Sequence, residues 1–143
     1  MQTRVLLAVA ALVGCNTSRP VPPPPAPAVQ PVSLAGTEWL LEDLGGAGVL
    51  DRVQSTLVFL PEGRVGGSSG CNRMMGGVKM DGSSITFSKL GGTLMACPAA
   101  VMDQERKYLG ALGKAKTFRI DGPYLLIESE GLAEPLKFSR KAP

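Results

Sequence analysis

CPAAVMDQERKYLGALGK, residues 97–114, is the stretch of this 143-residue chain whose side chains recur with a helical period. Val101, Glu105, Tyr108, Leu109 and Leu112 fall on one stripe at a spacing near 3.6. Pro98 suits a first helical turn, where a missing N–H leaves no intrahelical bond unmade. Asp103 and Glu105 come early and Arg106, Lys107 and Lys114 late, an order that complements the helix dipole. Gly113 is the expected C-terminal cap, and the stripe is expected to pack on a core.

On both sides of this helix the chain has a strand period. Before it, SLAGTEWLLEDL (33–44) predicts a strand around Trp39, Leu40 and Leu41. STLVFL (55–60) predicts a second, PEG (61–63) a turn, and RVGGS the returning strand. RMMGGVKM (73–80) sets Met74, Val78 and Met80 on one face against Lys79. Asp81-Gly82 then closes a hairpin onto SITFS, where Ile85 and Phe87 share a face. GGTLMAC (91–97) is expected to be a further extended segment. After the helix, KTFRI pairs Phe118 with Ile120, Asp121-Gly122-Pro123 turns the chain, and YLLIES and EPLKFS supply the last strands. This order predicts an α+β fold: a curled antiparallel sheet, a partly open barrel, with one covering helix. If Trp39, Phe59, Met80, Phe87, Phe118 and Phe138 fill the interior, it leaves little room for a ligand.

The N-terminal third has a different character. Arg4 precedes an unbroken apolar run over residues 5–13. That run is too short to span a bilayer, which takes roughly 20 residues, but it has the length of a secretory signal core. Leu12-Val13-Gly14-Cys15 resembles the bacterial lipobox, which implies cleavage before Cys15 and acylation of that residue. More than one acyl chain gives stable anchoring. Asn16 stands where an Asp tends to retain such proteins in the inner membrane, so the outer membrane, facing the periplasm, is the expected location. Seven of the twelve prolines lie between positions 20 and 31. Proline fixes φ and has no N–H to donate, so this segment is expected to be an extended tether. At ~3.1 Å per residue, residues 16–33 reach roughly 50 Å. The organisation is thus a lipoprotein signal peptide over 1–14, a lipidated cysteine with a Pro-rich tether over 15–33, and a folded domain over 34–140.

Composition excludes several chemistries. The chain has no histidine, which removes Ser-His-Asp and Cys-His catalysis and every histidine metal site. Gly66 to Gly70 lacks the Lys-Ser/Thr that a phosphate loop needs. Charges are dispersed along the sequence, with no basic cluster of the kind nucleic-acid binding calls for. No enzyme activity, no cofactor and no metal is expected.

Of the three cysteines, Cys71 and Cys97 remain once Cys15 is set aside. Outside the cytosol disulfides persist, and two cysteines without histidine cannot complete a zinc site. Three readings stand: a Cys71–Cys97 disulfide, two buried thiols, or a redox pair. The compartment favours the bridge. Closing that loop of 26 residues stabilises by ~3.5 kcal/mol in the chain-entropy model. Asn72 and Arg73, beside Cys71 among glycines, have two readings: Asn72 as a local backbone cap or turn residue, or the two as candidate binding residues.

Several pieces together resemble the META domain of HslJ-type heat-shock lipoproteins. They are Gly36-Thr37-Glu38-Trp39, Gly70-Cys71-Asn72-Arg73, Thr93-Leu94-Met95-Ala96-Cys97-Pro98, Asp103-Gln104-Glu105 and the strand from Tyr124 to Ile127, in that order. The resemblance spans roughly residues 33–140. It implies a small α+β fold with a curled antiparallel sheet, an association with heat stress and novobiocin tolerance in enteric bacteria, and no established enzymatic activity. The expected function is a non-catalytic, lipid-anchored envelope protein that binds or stabilises another envelope component, an envelope protein as partner, under stress. The alternative is a barrel that holds a small apolar ligand or acyl chain, similar to secretin-pilot lipoproteins.

Overall fold

The computed structural model describes residues 33–142; the expected signal segment, Cys15 and the tether up to residue 32 lie outside them. Eight strands and one helix follow one another: β1 (Glu38–Leu44), β2 (Thr56–Leu60), β3 (Arg64–Ser68), β4 (Arg73–Asp81), β5 (Ser84–Gly92), α1 (Ala99–Gly113), β6 (Ala115–Asp121), β7 (Tyr124–Ser129) and β8 (Leu136–Arg140). Each strand pairs antiparallel with its sequence neighbour, and β1 also pairs with β8, setting Trp39 opposite Arg140 and Leu41 opposite Phe138. The sheet is therefore a closed barrel, where the sequence predicted a partly open one. Closure removes both exposed edges. The thinnest seam lies between β5 and β6, where Ser84 faces Thr117 as the one ladder pair and the Phe118 N–H donates to the Ser83 carbonyl at 2.8 Å. That is where the chain leaves the sheet to form α1.

Alternation along the strands fills the interior. Trp39, Phe59, Phe87, Phe118 and Phe138 are all buried. Met80 is not: it lies near the end of β4 and is 37% exposed, although its cross-strand partner Ile85 is buried. Ile120, expected beside Phe118, is likewise half-exposed near the end of β6, although its partner Leu125 is buried. Nor does the extended segment predicted over residues 91–97 continue as a strand, since β5 stops at Gly92. Between β4 and β5 a bulge sets Lys89 and Leu90 against Gly76. A Cβ at Gly76 would lie 2.8 Å from the Ser88 carbonyl oxygen, so only glycine allows this crossing.

Helix α1 buries Gln104, Glu105, Tyr108, Ala111 and Leu112. The period of the stripe is as predicted, but the helix ends differ from expectation. Neither the first nor the last turn carries a charge, and Gly113 is the last helical residue, with Lys114 at the cap. Glu105 does not serve the dipole from the surface. Its carboxylate is buried, and Oε2 accepts from Ser69 Oγ at 2.6 Å and from the Asn72 N–H at 2.9 Å, while Oε1 accepts from Asn72 Nδ2 at 2.8 Å. Ser69 Oγ also lies 2.9 Å from the Asn72 carbonyl, but its single proton goes to the nearer, charged acceptor. Gln104 extends the junction: its Oε1 accepts from the Leu50 N–H at 2.6 Å. Tyr108 Oη donates to the Thr56 carbonyl at 3.3 Å, and its ring meets that of Phe138 at 6.2 Å between centroids. A disulfide joins Cys71 to Cys97, with Cα atoms 6.1 Å apart, and so ties the β3–β4 turn to the residue before the helix cap Pro98.

Burial pushes the Glu105 carboxyl upward, but the hydrogen bonds from Ser69, Asn72 and the Cys71 N–H outweigh it and hold the pKa below the ordinary 4.5. A depressed folded-state pKa stabilises fully above the unfolded value and is lost as pH falls through the folded one. Glu105→Gln should therefore lower unfolding free energy by about 1.5–3 kcal/mol at neutral pH. The gap from the native chain should close in acid below the ordinary glutamate range. Urea midpoints for both proteins at neutral and acid pH measure this; a gap that does not change with pH would refute a charge-dependent role. Cys71→Ser with Cys97→Ser should cost about 2–5 kcal/mol and leave the far-ultraviolet spectrum intact. Unchanged denaturation midpoints after reduction would show that the bridge does not constrain the chain.

Candidate functional site

The bridge and the Glu105 junction meet at Asn72, and from there a third set of bonds fixes residues 93–95. Asn72 Oδ1 accepts from Thr93 Oγ1 at 2.9 Å and from the Met95 N–H at 2.6 Å. Its Nδ2 gives one hydrogen to Glu105 and points the other at the Met95 carbonyl, 3.5 Å away. The amide thus uses both donors and both acceptor lone pairs inside the protein. Two further bonds join Thr93 to Arg73: the Thr93 N–H donates to the Arg73 carbonyl at 3.1 Å, and the Arg73 N–H to Thr93 Oγ1 at 3.1 Å. Asn72 is 3% exposed. Of the two sequence readings, the backbone-capping one describes the contacts Asn72 makes, with every polar atom of its side chain engaged within the protein. Arg73, next in sequence, is exposed.

The segment after β5 is therefore irregular but fixed, held by Asn72 at one end and by Cys97 at the other. Between Thr93 and Cys97 its side chains are exposed. Leu94 is 98% exposed and Met95 56%. Water around a leucine held outside the core costs free energy that a flexible polar loop would not incur, and the fold gains nothing from this side chain. Leu94 and Met95 form the candidate contact site, with Arg73 beside them. The sequence contained the signal, an apolar Leu-Met pair just after two glycines, but an extended reading of 91–97 assigned it to the sheet.

A serine with a carboxylate partner, Ser69 with Glu105, is 1% exposed and out of reach of any substrate. An open groove lined by Leu44, Ala47, Val49, Leu50, Ala100 and Lys107 runs beside α1. The carboxylate at its rim, Asp103, is paired to Arg106 at 2.6 Å and Lys107 at 2.7 Å. Among the described residues no three Cys, Asp or Glu side chains converge as a metal site would require.

Solved structures with this fold include an NMR structure of a protein from Burkholderia xenovorans, 24% identical with a TM-score of 0.62, covering 88% of this chain and 100% of that one. A second NMR structure is 21% identical with a TM-score of 0.60, over 74% and 90% of the two chains. The crystal structure of a duf4847 family protein from Bacteroides vulgatus is 15% identical with a TM-score of 0.54, over 77% and 96%. At these identities the likeness speaks for the fold. No curated protein gives a significant match. The family model of the META domain matches residues 32–143, which takes in every strand and the helix. This chain belongs to the META domain family.

Proposed function

We propose that this protein is a non-catalytic, lipid-anchored module of the bacterial envelope, HslJ-like, that binds or stabilises an envelope protein under stress through the segment carrying Leu94 and Met95. The observation that carries this reading is Leu94, 98% exposed on a backbone fixed at both ends. A preordered contact loses little conformational entropy when a partner covers it, so even a small apolar site gives useful affinity. Acylation at Cys15 rests on the Leu12-Val13-Gly14-Cys15 motif, and the Pro-rich tether gives the domain reach from the membrane. The absence of histidine from the sequence and the burial of Ser69 support a non-catalytic role. The acyl-chain alternative has less support, because Trp39, Phe59, Phe87, Phe118 and Phe138 occupy the interior such a ligand would need. Small eight-stranded barrels are commonly filled this way.

Mass spectrometry of the protein from its native membrane should yield an acylated N-terminal peptide that begins at Cys15, and Cys15→Ser should accumulate a longer, unlabelled precursor. A substitution that leaves size and acyl label unchanged would refute the anchor. A photo-crosslinking residue at Leu94 should give, in intact cells, an adduct of defined mass that the same probe at Lys116, on β6, does not give. Identical adducts at both positions, or none at Leu94, would remove the contact site.

A further inference from the structure

Arg64, Arg73, Lys79 and Lys89 are spread along the sequence, but the sheet gathers them. Val65 and Met74 are buried, so Arg64, Gly66 and Ser68 on β3 and Arg73 and Met75 on β4 turn outward. Lys79 pairs with Thr86, between the inward Ile85 and Phe87, and is exposed on the same face. The bulge at Lys89, whose φ of 53° is left-handed, leaves both Ser88 and Lys89 exposed. Three adjacent strands thus carry four cations. The carboxylates between residues 61 and 92 are Glu62 and Asp81, both at the hairpin end.

The cations elsewhere are mostly occupied. Arg106 and Lys107 pair with Asp103, Lys116 with Glu130, Arg119 with Glu128 and Lys141 with Glu38. Lys137 lies over the Tyr124 ring and Arg140 over that of Trp39. Among the described residues, none of the four cations on β3–β5 forms a salt bridge. In the middle of their face Met75 is 69% exposed, flanked on the neighbouring strands by Gly66 and Gly91. A Cβ at Gly91 would meet nothing within 4 Å and its φ is not left-handed, so the barrel does not require glycine there. The bare backbone lets a flat surface come close.

We propose that the outer face of β3–β5 rests on an anionic phospholipid surface, with Arg64, Arg73, Lys79 and Lys89 against the headgroup phosphates and Met75 entering the interface. The face is convex and spread over three strands: Arg73 and Lys79 alone lie about 20 Å apart along β4 at ~3.3 Å per residue. Charge of that extent matches a charged plane better than a single ligand. An apolar side chain among the cations fits a bilayer interface, and the face has no aromatic ring on which a nucleic-acid base could stack. This surface borders the Leu94 segment at Arg73, whose backbone bonds to Thr93. A domain tethered to its own membrane needs only weak affinity, because its effective concentration there is high.

The whole core lies between Leu34 and Phe138, so an unlipidated chain of residues 16–143 keeps the fold and is the protein to test. It should co-sediment with phosphatidylglycerol-containing vesicles, not with phosphatidylcholine alone, and come off at about 1 M salt, where screening shortens to ~3 Å. Each cation near such a surface contributes about fivefold. Replacing all four by Gln should therefore weaken binding on the order of a hundredfold or more. Replacing Arg106, Lys107, Lys116 and Arg119 by Gln, an equal change in net charge, should cost little. Met75→Glu alone, at an exposed strand position, should also weaken binding, and circular dichroism checks each fold. Equal loss from both quadruple variants, equal binding to neutral vesicles, no binding, or duplex DNA bound as tightly as the vesicles would each overturn the proposal. The Leu94 crosslinking result and the Cys15 acylation result are independent of these outcomes.

Discussion

Among the described residues Glu105 holds a negative charge at a buried junction without a salt-bridged cation, and three residues of one turn, Ser69, Cys71 and Asn72, compensate it. Ser69 Oγ, the Asn72 N–H and Asn72 Nδ2 converge on the two oxygens, with the Cys71 N–H adding to them. A carboxylate taken out of water in this way is tolerated only if its lone pairs are filled. The helix can therefore seat against the barrel only when the β3–β4 turn has its native shape. Cys71 lies in the same turn, and its bridge to Cys97 fixes the chain just before the helix. Covalent and polar links thus join one turn to one helix at points about 12 Å apart along its axis, at 1.5 Å per residue. Asn72 then passes the constraint to Thr93 and Met95, which is why a segment without regular structure is nevertheless fixed.

Much of this was legible as local pattern, and what was missed was long-range pairing. The strands, the hairpin at Gly82 and the helical stripe follow from alternation, turn residues and a 3.6 period, each set by neighbours in sequence. The period placed Glu105 on the buried stripe, yet its partners lie 33 and 36 residues earlier, and nothing local identifies them. Barrel closure depends on Trp39 meeting Arg140, a hundred residues apart. Met80 and Ile120 show the limit of alternation: it assigns a face, but not whether a residue near a strand's end is covered as its cross-strand partner is. The sequence raised both readings of Asn72; the choice needed the position of Met95.

The same geometry that hides partners from the sequence also sorts its charges. On β6 and β7, strand pairing sets Thr117 against Glu128 and Arg119 against Leu126, so Arg119 and Glu128 lie diagonally and can meet at 2.8 Å. On β3–β5, pairing sets Arg73 against Ser68, Arg64 against Gly77 and Lys79 against Thr86, so each cation faces a neutral neighbour. A spacing that appears dispersed in sequence becomes predominantly positive on this side of the barrel, with Glu62 and Asp81 confined to the hairpin end.

Exposed ion pairs contribute between nothing and about 1 kcal/mol, so four unpaired cations cost the fold little but add nothing to it. Nor does the fold use Gly91, where a side chain would have open space and β propensity would favour one. Gly76 and Gly92 are different: a Cβ at either would strike a backbone carbonyl across the β4–β5 ladder. The glycines of β4 and β5 therefore divide into those the barrel demands and those it does not. Met75 lies beside the second kind, on a face whose charge also has no structural partner. Folding accounts for the inner side of β3–β5 residue by residue; the composition of its outer side answers to something the barrel meets.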